Sequence, residues 1–330
     1  MTIIAKKSFL LYLKNVEEKV LDYNSILESC GVGKSTAQSV VKNIANLEEF
    51  YDNSELVSIY NYCLLNIEDP EVLIQVIKFT DAHRAASTLA ILLEMLSIKT
   101  GEDLDSLVNL RAMCVKAIAN YKDTSTVTIL LDCMNNKHEH YKVRLACADA
   151  LGRIGDKYAV QPLISLVEDE EEKSVYLKES ATFALGLLGD TSAIDPLVAI
   201  LESKHGLWGK FSFLKEKIVE ALGKLNINNK KVMKALKNSL MDSSPMVRIN
   251  AIEAIMNSGE EDSVELIRPS LKDDDNDVKK NALIAIYNLI GRDILDEVLS
   301  LPSYSEYLKE VAQELIDEYE TESSEDIDYD

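Results

Sequence analysis

Two phrases decide the fold of this chain: VRLACADALGRIGDKYAVQPLISLVEDE at residues 143–170 and LKESATFALGLLGDTSAIDPLVAILESK at residues 177–204. Each opens on an apolar residue followed by a base. Each then runs through small residues to Ala-Leu-Gly-x-x-Gly-Asp and continues into a second apolar stretch. The first half predicts a helix whose alanines (Ala146, Ala150, Ala181, Ala184) let a neighbour approach closely. Gly155 and Gly189 suit the left-handed position that ends a helix, and Asp156 and Asp190 can hold the free N–H groups where the next begins. Pro162 and Pro196 fall in or just beyond that helix's first turn, where a missing N–H costs little. Val160, Leu163, Ile164 and Val167 make one apolar stripe, and Ile194, Leu197, Val198 and Leu201 make its copy.

Weaker copies lie at LRAMCVKAIANYK (110–122), LKEKIVEALGKLN (214–226), VRINAIEAIMNSG (247–259) and VKKNALIAIYNLIG (278–291). Their bases, Arg111, Arg144, Lys178, Lys215, Arg248 and Lys279, are spaced by 33, 34, 37, 33 and 31 residues. A period near 33 signals a stacked helical array, because one helical pair cannot cover both of its apolar faces.

The phrase resembles HEAT repeats, and within them the HEAT-like repeats named after phycobilisome lyases. The resemblance is strongest over 141–203 and extends from about 108 to 300. It implies an all-α fold, a right-handed α-solenoid (superhelix) of HEAT-like helical pairs. Residues 1–107 are expected to be a divergent helical region of the same solenoid, 301–316 a capping helix, and 317–330 an acidic, disordered tail.

Composition agrees. Of 330 residues, 47% are hydrophobic and only 6% aromatic, with 12 Gly and 6 Pro, which suits stacked aliphatic helices better than a sandwich or barrel. No stretch approaches the roughly 18 apolar residues of a membrane span, and the opening MTIIAKKSFLLYLKN is too short in its apolar run for a signal peptide. Five cysteines without CxxC spacing read as reduced, buried thiols of a cytoplasmic protein. The net charge is −21. Residues 1–240 carry 28 bases against 32 acids (−4), whereas 241–330 carry 7 against 24 (−17). Such a field repels nucleic-acid phosphates and favours a basic protein partner.

SCGVGKST (29–36) invites a nucleotide-binding reading. A phosphate-cradling loop needs a glycine four residues before Gly33, after a strand; that position is Glu28, after a helical pattern. The surrounding residues also resemble a helix-turn-helix, with Ile26, Cys30, Val32, Ala37 and Val40 at its buried positions. Lys34, Gln38 and Lys42 would be the groups that meet DNA. Residues 1–50 have six Lys against six acids, which leaves DNA binding a minor alternative; a tight turn capped by Ser35 or Thr36 is the plainer expectation.

Several HEAT-repeat proteins are enzymes. Deoxyhypusine hydroxylases place a His-Glu pair directly after the repeat's base, around two irons. Here Leu145 and Ala146 follow Arg144, Glu179 and Ser180 follow Lys178, and the pair His138-Glu139 precedes its helix. No metal site, cofactor or catalytic residue is therefore expected. DNA glycosylases of this scaffold use a cationic face, which the acid here opposes. Phycobilin lyases lend no short motif that could be carried over, so a lyase-like subunit stands as the enzymatic alternative.

The expected function is a non-enzymatic scaffold or adaptor for a protein partner. An acidic inhibitor or immunity protein that occludes a basic partner is a further alternative. The stretched period puts an insertion at 203–214, ESKHGLWGKFSFLKEK being its setting, with His205, the sole tryptophan Trp208, Phe211 and Phe213. An aromatic cluster between glycines suits a binding loop. The HEAT resemblance further implies that second helices line the concave side, where Gln161, Ser165, Asp195, Glu202, Lys234, Lys237, Glu265 and Arg268 would face the partner.

Overall fold

The computed structural model describes residues 21–97, 105–203, 211–225, 229–259 and 262–325, and every regular element among them is helical. The chain forms two compact units, residues 1–159 and 160–330. The repeat phrase becomes recognisable in the sequence from about residue 108, whereas the two units divide at 159/160.

The first unit holds α1 (Tyr23–Ser29), α2 (Ala37–Ala45), α3 (Asn53–Asn66), α4 (Pro70–Phe79), α5 (Ala86–Ser97), α6 (Asp105–Tyr121), α7 (Val127–Asn135) and α8 (Tyr141–Ile154). Residues 30–36 are the turn between α1 and α2. Gly31 and Gly33 hold φ of 81° and 74° there, a region that costs glycine little. Thr36 caps α2 by accepting from the Ser39 amide at 3.4 Å. Glu28 sits within α1, so the stretch lacks the strand-to-helix geometry that cradles a phosphate. Ile26, Cys30 and Val40 are buried, Val32 and Ala37 half-buried, and Lys34, Gln38 and Lys42 exposed. From α5 on, the connectivity is regular: α5 packs on α6, α6 on α8 and α7 on α8.

The second unit continues with α9 (Val160–Glu168), α10 (Val175–Leu188), α11 (Ile194–Glu202), α12 (Ser212–Leu225), α13 (Lys230–Ser239), α14 (Pro245–Met256), α15 (Ser263–Ile267), α16 (Asn276–Ile290), α17 (Asp293–Ser300) and α18 (Glu306–Glu325). First helices stack in the order α10, α12, α14, α16, while α9, α11 and α13 stack beside them. This contact of each helix with the next and the next but one is the construction of an α-solenoid.

The phrase explains how. Gly155 (φ 84°) and Gly189 (φ 65°) end α8 and α10 in the left-handed region. Asp123, Asp156 and Asp190 each accept from the amide two residues on, at 2.9, 2.8 and 3.0 Å. Pro162 and Pro196 are the third residues of α9 and α11. Glycines inside the first helices permit close approach. A Cβ on Gly186 would lie 3.1 Å from the Ala221 backbone, and one on Gly223 would lie 2.8 Å from the Ala254 methyl.

The bases that mark the period mostly finish the preceding helix. Arg111 Nε donates to the Leu96 carbonyl at the end of α5 (3.1 Å), and Arg144 Nε to Met134 in the last turn of α7 (2.7 Å). Lys178 Nζ donates to the Val167 and Asp169 carbonyls at the end of α9, at 2.8 and 2.7 Å. A cation there meets the negative end of the helix dipole and its unpaired carbonyls. Arg248 grips the Asp242 carbonyl (2.8 Å) and, with two further nitrogens, the Asp273 carboxylate (2.9 and 2.7 Å). Lys215 pairs with Asp242 at 3.0 Å. Lys279 departs, donating among the described residues to Asn276 in its own first turn.

At the C-terminus a difference from expectation emerges. The last helix was expected to stop near 316 with a disordered tail from 317; α18 instead runs to Glu325. Leu308, Val311, Ala312 and Ile316 bury its seam, and the residues beyond contain no Gly or Pro to stop it, so helix propagates from an already formed nucleus. Residues 1–20 and 326–330 lie outside the described residues.

Candidate interaction surface

Sequence reasoning pointed to the row of second helices and to the 203–214 insertion, both in the second unit. Gln161, Ser165, Asp195, Glu202, Lys234, Lys237 and Glu265 are exposed, and Arg268 is half-buried. Three of these positions are tied to the neighbouring second helix. Asp195 takes both its oxygens to Lys231 Nζ (2.8 and 2.9 Å), and Lys237 reaches Asp262 at 3.5 Å. Arg268 holds both oxygens of Glu297 at 2.6 and 2.8 Å, and that guanidinium keeps the Glu297 carboxyl below the usual carboxylate range. The row is thus partly zippered by charges from successive repeats. Gln161, Glu202 and Lys234 make no such side-chain pairing among the described residues.

His205 and Trp208 lie outside the described residues. Phe211 and Phe213 stand where the insertion runs into α12. Their rings meet at 5.7 Å between centroids, and Phe213 stacks on Tyr176 at 6.3 Å with 24° between planes. Phe213 is half-buried by this arrangement, whereas Phe211 and Tyr176 are exposed, Tyr176 by 59%.

Tyr176 was missed from sequence, although a signal existed. It stands two residues before the base Lys178, as Phe213 stands two before Lys215 and Met246 two before Arg248. Met246 is 50% exposed. One repeat position thus carries a large apolar side chain in three successive units, at the start of α10, α12 and α14. The adjacent loops add an exposed Met241 and exposed Glu170, Glu171 and Asp274. Hydrogen bonds bind these loops together: Ser244 Oγ donates to Glu216 on α12 (3.3 Å), and Arg248 joins loop 240–244 to Asp273. The result is a loop edge where one repeat position carries an apolar side chain at α10, α12 and α14, with exposed carboxylates in the loops on either side of that set.

Groups that could have suggested chemistry are engaged in structure. Glu139, of the His138-Glu139 pair, is gripped by Arg111 through two bonds of 2.7 and 2.6 Å. Burial works against the Arg111 charge, but Glu139 more than offsets it and raises its pKa. His140 accepts from the Lys142 amide as the N-cap of α8. Among the described residues no three His, Cys, Asp or Glu converge as metal ligands, and no helix is long and apolar enough to cross a membrane.

Residues 102–176 and 214–286 match HEAT repeats, and 177–203 match the PBS lyase HEAT-like repeat. No curated protein matches the chain significantly. Among solved structures, the complex of CpcE and CpcF of phycocyanin lyase from Nostoc sp. PCC7120 is similar at 18% identity, covering 85% of this chain and 95% of that one, with a TM-score of 0.44. Human deoxyhypusine hydroxylase in complex with glycerol is similar at 14% identity, covering 91% and 96%, with a TM-score of 0.31. The E. coli protein YibA is 16% identical over 91% of this chain and 98% of its own, with a TM-score of 0.49. With the repeat matches spanning more than half of its length, the chain belongs to the HEAT-repeat proteins.

Proposed function

We propose that this protein is a non-enzymatic scaffold that docks a basic segment of another protein on the loop edge of its second unit. The observation that carries the reading is the Tyr176–Phe213–Phe211 ring cluster, its Tyr176 and Phe211 exposed, with Met246 at the equivalent position of the next repeat and exposed Glu170, Glu171 and Asp274 in the neighbouring loops. Aromatic anchors supply the concentrated energy of an interface, and carboxylates around them select lysine and arginine. In the sequence, His205 and Trp208 belong to the insertion that leads into Phe211. Gln161, Glu202 and Lys234 on the second helices offer further polar contacts. The lyase-type repeat at 177–203 supports the scaffold alone, since its distinctive residues cap, pack or end helices: Lys178, Gly186 and Gly189.

Selection of a random-peptide display library on the purified chain tests this. The expected ligands interleave Lys or Arg with large apolar residues. Tyr176→Ala or Phe211→Ala should weaken them by about tenfold or more, ~1.4 kcal/mol, with helix content unchanged. Ligands that are acidic, or that bind both variants as well as wild type, would defeat the proposal.

A further inference from the structure

We propose that Cys133 and Cys147 form a peroxide-responsive thiol pair, Cys133 being the residue attacked first and Cys147 the one that resolves it to a disulfide. By sequence each cysteine stands alone, 14 residues apart. The antiparallel pair α7 and α8 brings them together. Arg144 on α8 donates to the carbonyl of Met134 on α7 at 2.7 Å, which fixes the register. Cys133 precedes Met134 and Cys147 lies one turn beyond Arg144, and across this packed helical pair the two thiol side chains come within hydrogen-bonding reach of each other.

Their surroundings divide the roles. Cys133 is half-buried and keeps some surface open to solvent, while Cys147 is fully buried. The hydrogen bond from Cys147 lowers the Cys133 pKa; burial and Glu139 oppose this, and the Arg111 and Arg144 guanidinia assist. Cys147 moves the opposite way, raised by the same bond and by burial. A thiolate-prone, accessible sulfur beside cations with a second thiol in contact is the arrangement that favours reversible oxidation. Cys30 and Cys63 form an internal contrast. Both are buried, and burial pushes both thiols up, Cys63 to about 12.

The chemistry balances with hydrogen peroxide as oxidant. The Cys133 thiolate attacks one peroxide oxygen, the O–O bond breaks, and the leaving hydroxide takes a proton to become water. Cys133 is then a sulfenic acid. Cys147 loses its proton and attacks the Cys133 sulfur, the S–O bond breaks, and a second water leaves as the S–S bond forms. Two electrons pass from the thiols to the peroxide.

The test uses the intact reduced protein, exposed to a small excess of hydrogen peroxide, alkylated, cut with trypsin and weighed. The expected product joins fragment 123–137 to fragment 145–153, is two hydrogens lighter than the reduced pair, and separates on reduction. Cys147→Ser should instead accumulate a dimedone-reactive Cys133. The wild-type product decides even if that variant folds poorly. The inference is overturned if wild type gives five alkylated cysteines, a sulfinic Cys133 beside a reduced Cys147, or a disulfide through any other cysteine, including Cys133 of a second copy.

Discussion

Lys178 shows how a single side chain can serve the stack. It is only 2% exposed and completes two carbonyls at the end of α9. Burial pushes its pKa below the ordinary lysine range, with the carboxylates of Asp169 and Glu172 opposing. Lys178→Met keeps the stem but strands those carbonyls, and is expected to cost about 2–4 kcal/mol. Lys279→Met, losing one bond to Asn276, should stay within about 0.5 kcal/mol. Urea midpoints of the two variants check the contrast; similar losses would contradict it. At Asp242, burial raises the carboxyl pKa but is outweighed by the Ser244 amide and the Lys215 ammonium, so the net shift is downward. A carboxyl lowered by folding adds stability above its unfolded pKa, about 3.9, and that stability is lost as pH falls through the folded value. Asp242→Asn should therefore cost about 1–2 kcal/mol at neutral pH, with the gap to wild type closing below about pH 4. A gap that stays constant from neutrality to pH 3 would contradict this. The repeating base was legible in the sequence as a marker of period. Its work was not, because the carbonyls it caps lie across a loop and Glu139 meets Arg111 from 28 residues away.

At the scale of elements, the first helices approach on glycine and alanine. Adding a methyl in a helix gains about 1 kcal/mol of propensity, while overpacking a close contact costs about 1–3 kcal/mol. Geometry decides which wins. Gly223→Ala meets the Ala254 methyl at 2.8 Å, so a net loss of about 1–2 kcal/mol is expected, and Ala254→Gly should relieve part of it in the double variant. Gly186→Ala, at 3.1–3.2 Å from Ala221, should lose less. Thermal unfolding of the four proteins tests the order, and a stabilised Gly223→Ala would refute the close-contact account. The helical pairs were readable because Gly-Asp punctuation and apolar stripes are local signals. The extent of α18 was not, since an acidic composition looks alike in a solvated helix and in a disordered tail. Tyr176 and Met246 escaped notice for another reason: each is ordinary alone and acquires meaning only when repeats are aligned on their bases.

Over the whole chain the acid is unevenly placed, with 24 acidic against 7 basic residues in 241–330. Charge of this kind acts at long range on encounter, whereas the aromatic cluster acts only in contact. The two contributions should therefore separate kinetically for a basic ligand selected on this surface. The screening length shrinks from about 8 Å near 0.15 M salt to about 3 Å at 1 M. Raising salt over that range should slow association markedly and leave dissociation nearly unchanged. Tyr176→Ala and Phe211→Ala should do the reverse, speeding dissociation by about tenfold while association varies little, as for most losses of a contact anchor. Stopped-flow or surface-based kinetics on wild type and both variants, at two salt concentrations, measure both rates for each protein. If salt instead changed dissociation and the aromatic truncations changed association, the division of labour between acid field and aromatic anchor would be wrong, even with binding itself established.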